Sequence, residues 1–373
     1  MQIQKERLLS TFSQLVSFDS PSFQERALCD FLKEKLHSLG LDPIEDACDS
    51  KIGGQCGNLY TKVEGSLPLP PLLFCAHMDT VEPAYGKQAV FHADGTITSN
   101  GNTVLGADDC SGIVAILEAV TVLKEQNLSH RPIEILFTVA EEPYCKGISQ
   151  MDFSMIQAKQ AYVWDLSGSV GHAAYQAPTI LSFQISFIGK SAHAGFAPED
   201  GIHAIAATSA AISHMPCGRT QEVTVNIGTI SGGTANNIVP DQCTFTGEIR
   251  SFSDTKAEAM LEELEKISCQ SASAYGAQVE IQSEKHCTAY CTDTTAPVVH
   301  RFQNACRLLG LSPCFTQTYG GSDQNHLALH EISGLVVATA MNNCHTCKEY
   351  TSEQELSRAA ELALALMRSE DPI

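Results

Sequence analysis

The stretch from Leu72 to Asp79, L-L-F-C-A-H-M-D, constrains this chain more than any other. Four apolar residues and an alanine read as a buried strand. Its end switches abruptly to a histidine and, two positions on, an aspartate, which on an extended backbone project from the same side. His77 can bind a metal through one ring nitrogen while Asp79 accepts a hydrogen bond from the other, an arrangement that fixes the tautomer and raises ligand basicity. Alone, H-x-D marks a strand-end turn more often than a metal site, so the rest of the chain has to decide.

Length and composition set the bounds. At 373 residues the chain exceeds the usual size of a single core, so two unequal domains are expected. No long uncharged apolar run is present, and no membrane span is expected. The opening MQIQKERLLSTFSQLVSF carries charges where a signal peptide needs an unbroken apolar core, and reads as an amphipathic helix. The formal net charge of -20 disfavours nucleic acid and anionic membrane surfaces as partners. Fifteen cysteines are scattered through strands and helices rather than framing a small secreted domain. They read as reduced thiols, and the expected location is the cytoplasm.

After the first helix, Ser20-Pro21-Ser22 and Gln24-Glu25 signal a helix start for the segment running to about Leu39. Leu41 to Val63 reads as two strands around a Gly53-Gly54 turn, and Val81 to Asn102 as a hairpin-like excursion turning at Asp94-Gly95. In GNTVLGADDCSGIVAILEAVTVLKEQN, glycines flank two aspartates at the mouth of an apolar helix, which puts Asp108 at a loop-to-helix junction.

The pattern of the Leu72 stretch then recurs. Ile133 to Ala140 is a strand running into Glu141-Glu142, Ala161 to Trp164 runs into Asp165, and Leu335 to Ala340 leads to a loop carrying His345. In open α/β sheets, ligands bind past the carboxyl ends of the strands, so groups distant in sequence can converge there. Any one of these acids could cap a helix. Five such ends delivering two histidines, two aspartates and a glutamate pair point instead to a metal centre. Imidazoles mixed with hard carboxylates suit zinc, or cobalt and manganese, and their number exceeds what one tetrahedral ion needs. Two metals sharing a bridging carboxylate is the economical reading.

Between about Tyr175 and Tyr290 the order becomes strand, helix, strand, strand, helix, strand, the split β-α-β arrangement of a ferredoxin-like module. Because His345 lies beyond it, the module is an insert. The expected division is 1–174 and 292–373 for an α/β catalytic domain and 175–291 for an inserted α+β ferredoxin-like domain.

H-M-D-T-V at His77, G-A-D-D at Gly106, the pair at Glu141, the strand-ending Asp165, S-A-H-A-G around His193 and H-T-x-x-E at His345 together resemble the M20 family of metallopeptidases, in its peptidase T-like branch. The resemblance covers nearly the whole chain in the same order, and it implies a central mixed sheet flanked by helices for the catalytic domain and a lid or dimerisation role for the insert. It implies that His77, Asp108 and Asp165 hold one zinc and that Asp108, Glu142 and His345 hold the other. It implies that Asp79 orients His77, that Glu141 is the general base, and that a cis peptide follows Asp108. It further implies that His193 completes the active site of the partner subunit in a homodimer. Asn237 and Arg250 would contact the substrate, and Gly321 would lie in the glycine-rich loop near the substrate carboxylate. The implied reaction is removal of the N-terminal residue of a tripeptide or similar short peptide. Relatives in the same family release a C-terminal amino acid or deacylate N-acyl amino acids with the same metal ligands, and no motif here shows how a free substrate amine is recognised.

Two other classes of function compete. Cys344-His345-Thr346-Cys347 is a C-x-x-C, which redox or structural-zinc proteins use, but thioredoxin-like sites follow an early strand and structural zinc usually takes a second thiol pair. Cys75, Cys110 and Cys145 neighbour the ligand motifs; they read first as small buried space-fillers, with oxidation sensitivity of the site as the alternative. A non-catalytic binding protein on the same scaffold would be expected to have lost Glu141 or a ligand, and every one is present.

Overall fold

In the computed structural model, which describes residues 3–220 and 222–370, the Leu72–His77 strand is buried along its whole length. It is flanked in parallel by Ile133–Thr138 on one side and Gln160–Leu166 on the other. A strand covered on both edges and both faces needs apolar residues at every position, which explains its unbroken run. Ser333–Ala338 continues the sheet parallel to Gln160–Leu166. The registers pair His77 with Thr138, Cys75 with Val163 and Ala338 with Leu166. The four carboxyl ends therefore finish along one edge.

The outer strands make the sheet mixed. Leu59–Val63 pairs antiparallel with Ile133–Thr138, and His172–Ala177 pairs antiparallel with Ser333–Ala338. The Ala107–Glu125 helix is apolar on all sides because it packs on the Leu72–His77 strand and against the helices Lys5–Val16 and Glu353–Met367. Its first turn is not helical: Asp108 and Asp109 leave helical φ/ψ, and the peptide between them is cis.

Contacts divide the chain into two compact units, Met1–Gln176 with Cys291–Ile373, and Ala177–Tyr290. In the second, the long strands Thr179–Ile188, Val223–Gly232, Gln242–Ser251 and Gln278–Cys287 form an antiparallel sheet in the order fourth, first, third, second. The helices Ala204–His214 and Asp254–Tyr275 bury Ala207, Ala211 and Leu264 in one cluster with Phe183, Ile185 and Phe245. This is the ferredoxin-like arrangement read from the alternation of elements.

One local expectation is corrected. Gly53 and Gly54 do not turn a hairpin: Gly53, at φ 76°, ends a short helix, Asp49–Ile52. Ile44–Glu45 still pairs with Leu59–Val63, but the connection is organised by Asp46, whose Oδ1 accepts from Cys48 N at 3.1 Å and Asn58 N at 2.9 Å. The Asp94-Gly95 hairpin is present, and it gains a third strand, Tyr350–Ser352, from the loop that carries His345. Among the described residues, no helix is long and apolar enough to cross a membrane.

Candidate metal centre

Past the strand ends of the first unit, Asp108 stands between two histidines. Its Oδ1 lies 3.0 Å from His77 Nε2 and its Oδ2 lies 3.3 Å from His345 Nε2. Asp165 Oδ1 is 3.9 Å from His77 Nε2, and Glu142 Oε2 is 3.0 Å from His345 Nε2. Ligand-type atoms of His77, Glu141 and Asp165 all lie within 4.8 Å of one another, as do those of His77, Asp108 and Glu142. All five candidate ligands are thus together, each oxygen of Asp108 facing a different imidazole. His345 is 55% exposed at its side chain while His77 is buried, so the cluster opens to solvent on the His345 side.

The electrostatics fit cations. Burial, together with the neighbouring charge of Asp165, pushes the Glu141 carboxyl well above the usual carboxylate range, and burial with the charge of Asp108 does the same to Asp165. Contacts with Asp108 and Glu142 push His345 up to about 10. So many buried carboxylates are costly unless positive charge compensates them. Glu142 Oε1 is buried with no hydrogen-bond partner among the described residues, as expected of an atom that serves a group other than protein. The donor set of two imidazoles and three carboxylates suits two divalent cations of the zinc, cobalt or manganese type.

Backbone placement explains why these side chains converge. His77 Nδ1 is 2.9 Å from the Asp79 carbonyl oxygen and 3.5 Å from its Oδ1, so the near contact that fixes the ring is made by the Asp79 main chain. The Asp79 carboxylate, itself within ion-pair reach of His77, also holds the neighbouring backbone. Its Oδ1 accepts from Glu141 N at 2.9 Å, and its Oδ2 accepts from Glu142 N at 3.2 Å and from Ser22 Oγ at 2.7 Å. Asp109 Oδ2 accepts from His77 N at 3.2 Å and its Oδ1 from Gly112 N at 3.0 Å, tying the strand end to the helix start.

Two acids here have roles that the sequence reading did not assign. Buried Glu349 accepts from Gly106 N at 2.7 Å and from Asp108 N at 2.9 Å, holding the Asp108 turn; burial raises its carboxyl to about 7. Its signal was in view as the last residue of H-T-x-x-E. Asp323 follows Gly321-Ser322 and is buried, accepting from Thr138 Oγ1 at 2.6 Å, and it clusters with Glu141 and Cys145. Gly321 itself lies in the loop entering the Asp323–Leu329 helix, which Ser322 caps. All fifteen cysteines are free thiols.

In the second unit, Ala194 N donates to Asn237 O at 2.9 Å and His193 bridges to Ile238, so the loops carrying His193 and Asn237 lie side by side. His193 is exposed, and its Nδ1 accepts from Gly195 N at 3.1 Å and Phe196 N at 3.2 Å. Those bonds assign the ring proton to Nε2, which is left as a donor. Arg250 is engaged by Glu248 of its own strand, Nε to Oε1 at 2.8 Å and Nη2 to Oε2 at 3.0 Å. Carboxylate recognition by Arg250 therefore requires sharing or exchanging that partner.

Comparison with known proteins agrees with this geometry. The model of the M20 peptidase dimerisation domain matches residues 175–275, and that of peptidase family M28 matches residues 58–208. A curated relative, the uncharacterized protein YqjE of Bacillus subtilis, is 36% identical over 98% of both chains. The crystal structure of aminopeptidase PepT from Bacillus cereus superposes with a TM-score of 0.90 at 35% identity, covering 98% of each chain. A tripeptidase from Staphylococcus aureus superposes with a TM-score of 0.95 at 32% identity, covering 99% of each. The chain is thus a metallopeptidase that hydrolyses peptides, and it belongs to the M20 family in its peptidase T-like branch.

Proposed function

We propose that the protein is a cytoplasmic, homodimeric di-zinc aminopeptidase that removes the N-terminal residue of tripeptides or similar short peptides. The observation that carries the dinuclear reading is Asp108, with one carboxylate oxygen toward His77 and the other toward His345. His77, Asp108 and Asp165 would hold one ion, and Asp108, Glu142 and His345 the other. Bound there, the ions would lower the pKa of a water between them towards neutrality and polarise the scissile carbonyl.

Glu141 is the general base. Its carboxyl lies beside His77 and Asp165 without being needed in either ligand set, and its backbone is held by Asp79. It takes the proton of the attacking water and returns it to the leaving amine. His193, with Nε2–H free to donate, stabilises the developing oxyanion in the partner subunit's site. Asn237 hydrogen-bonds a substrate backbone group, Arg250 offers its guanidinium fork to a substrate carboxylate, and Gly321 belongs to a glycine-rich loop that binds substrate. Polarity of cleavage is supported by the two solved relatives described as an aminopeptidase and a tripeptidase.

The test combines metal analysis with a panel of di- and tripeptides whose termini are free or blocked. Glu141→Gln is expected to lose about a thousandfold or more in turnover while keeping two metals per chain. Substantial residual turnover removes Glu141 as the base. Hydrolysis of N-blocked but not N-free substrates replaces the aminopeptidase reading with deacylation or C-terminal cleavage.

A further inference from the structure

Four consecutive backbone N–H groups at the start of the Glu141-Glu142 turn each donate to a side-chain oxygen from elsewhere in the chain. Val139 N donates to Asn58 Oδ1 at 3.2 Å, Ala140 N to Glu25 Oε1 at 2.9 Å, Glu141 N to Asp79 Oδ1 at 2.9 Å and Glu142 N to Asp79 Oδ2 at 3.2 Å. The Ile133–Thr138 strand has just ended, so these amides, three of them on buried residues and that of Glu142 half-buried, have lost their ladder partners and need acceptors. Three side chains from three separate segments supply them. Ala140, at φ 48°, occupies the left-handed region that alanine seldom adopts, so the surroundings and not local preference dictate this turn.

Glu25 is the unexpected member. It is fully buried and stands at the N-cap position of the Arg26–Ser38 helix, where a carboxylate ordinarily caps its own helix. Its side chain makes no capping bond there. Oε1 instead accepts from Phe23 N at 2.8 Å as well as from Ala140 N, and Oε2 is buried with no partner among the described residues. Burial, with the charge of Asp79 adding, raises this carboxyl to about 7. The same loop sends Ser22 to Asp79, so residues 20–25 brace the Glu141-Glu142 turn both directly and through Asp79.

We propose that Glu25 is a positioning residue for peptide hydrolysis: through the Ala140 amide it fixes the turn from which Glu141 and Glu142 diverge. The proposal rests on reading Glu141 as the base and Glu142 as a metal ligand. What the site needs from Glu25 is the Oε1 acceptor, not the negative charge. Glutamine can keep that acceptor; methionine, of similar size, cannot.

The experiment compares Glu25→Gln, Glu25→Met and Glu25→Asp with the wild type in kcat, KM, metal content and deuterium uptake of the peptide spanning 138–143. Glu25→Gln is expected to keep kcat within about threefold. Glu25→Met is expected to lose about a hundredfold in kcat at nearly unchanged KM, the size of effect produced by misaiming a catalytic group by about an ångström, with faster deuterium uptake at 138–143. If Glu25→Met does not fold, Glu25→Asp, which withdraws the acceptor by one methylene, carries the test and is expected about tenfold below Glu25→Gln. Glutamine as damaging as methionine, or aspartate equal to glutamine, overturns the proposal, as does a folded Glu25→Met variant with kcat within threefold of wild type. Deuterium uptake reports the anchoring whatever Glu141 does, whereas activity retained by Glu141→Gln condemns the base assignment and leaves the anchoring result intact.

Discussion

The two units carry their candidate residues in opposite ways. In the first, His77, Asp108, Glu142, Asp165 and His345 already face one another across 3.0 to 3.9 Å, fixed by strand ends and by Asp79, Asp109 and Glu349 on their backbones. In the second, His193 and Asn237 sit on exposed loops, and Arg250 is occupied by Glu248. A metal centre has to be preorganised, because loose carboxylates would repel one another rather than converge. Groups that meet a substrate or a second subunit can wait at a surface and be completed when it arrives. Metal binding should therefore depend on the residues of the first unit, and His193, Asn237 and Arg250 of the second should matter in turnover and substrate affinity.

The largest effect that could break this contrast comes from mixing chains. If His193 acts in the partner's site, homodimers of Glu141→Gln and of His193→Ala are each nearly inactive. Co-refolding the two restores activity to roughly a quarter of wild type, since about half the dimers are mixed and each has one intact site of two. No recovery, with mixed dimers shown to have formed, would mean that His193 acts within its own chain or not at all. A smaller effect sharpens the role of the second unit. Arg250→Ala should weaken binding of a free-acid peptide about ten- to hundredfold and hardly change binding of its C-terminal amide. Equal losses on both would leave Arg250 to its pairing with Glu248.

The same contrast explains what the sequence could reveal. The strand-end groups were legible because an apolar run that stops abruptly at His77, Glu141 or Asp165 is a one-dimensional signal, and parallel strands bring such ends together without further instruction. The residues holding the backbone were not. Glu349, Glu25 and Asn58 act on N–H groups whose directions depend on turns such as that at Ala140, which no periodicity encodes. Glu25 even read as a helix-start signal, correctly in place but silent about where its carboxylate goes. Gly53-Gly54 misled for a related reason: Gly53 ends a short helix, Asp46 ties Cys48 before that helix and Asn58 after it, and a glycine pair alone does not distinguish this from a hairpin. Glu248 beside Arg250 was visible two residues away, on the same face of the strand, and its consequence for substrate recognition emerged only from the distances.

Whether Asp108 joins two metal ions is decided by anomalous diffraction from crystals of the zinc-loaded protein at the zinc edge. Two peaks per chain are expected, each about 2.0–2.2 Å from a different carboxylate oxygen of Asp108, one beside His77 and Asp165 and the other beside Glu142 and His345. A single peak, or two peaks that do not share Asp108, would remove the bridge.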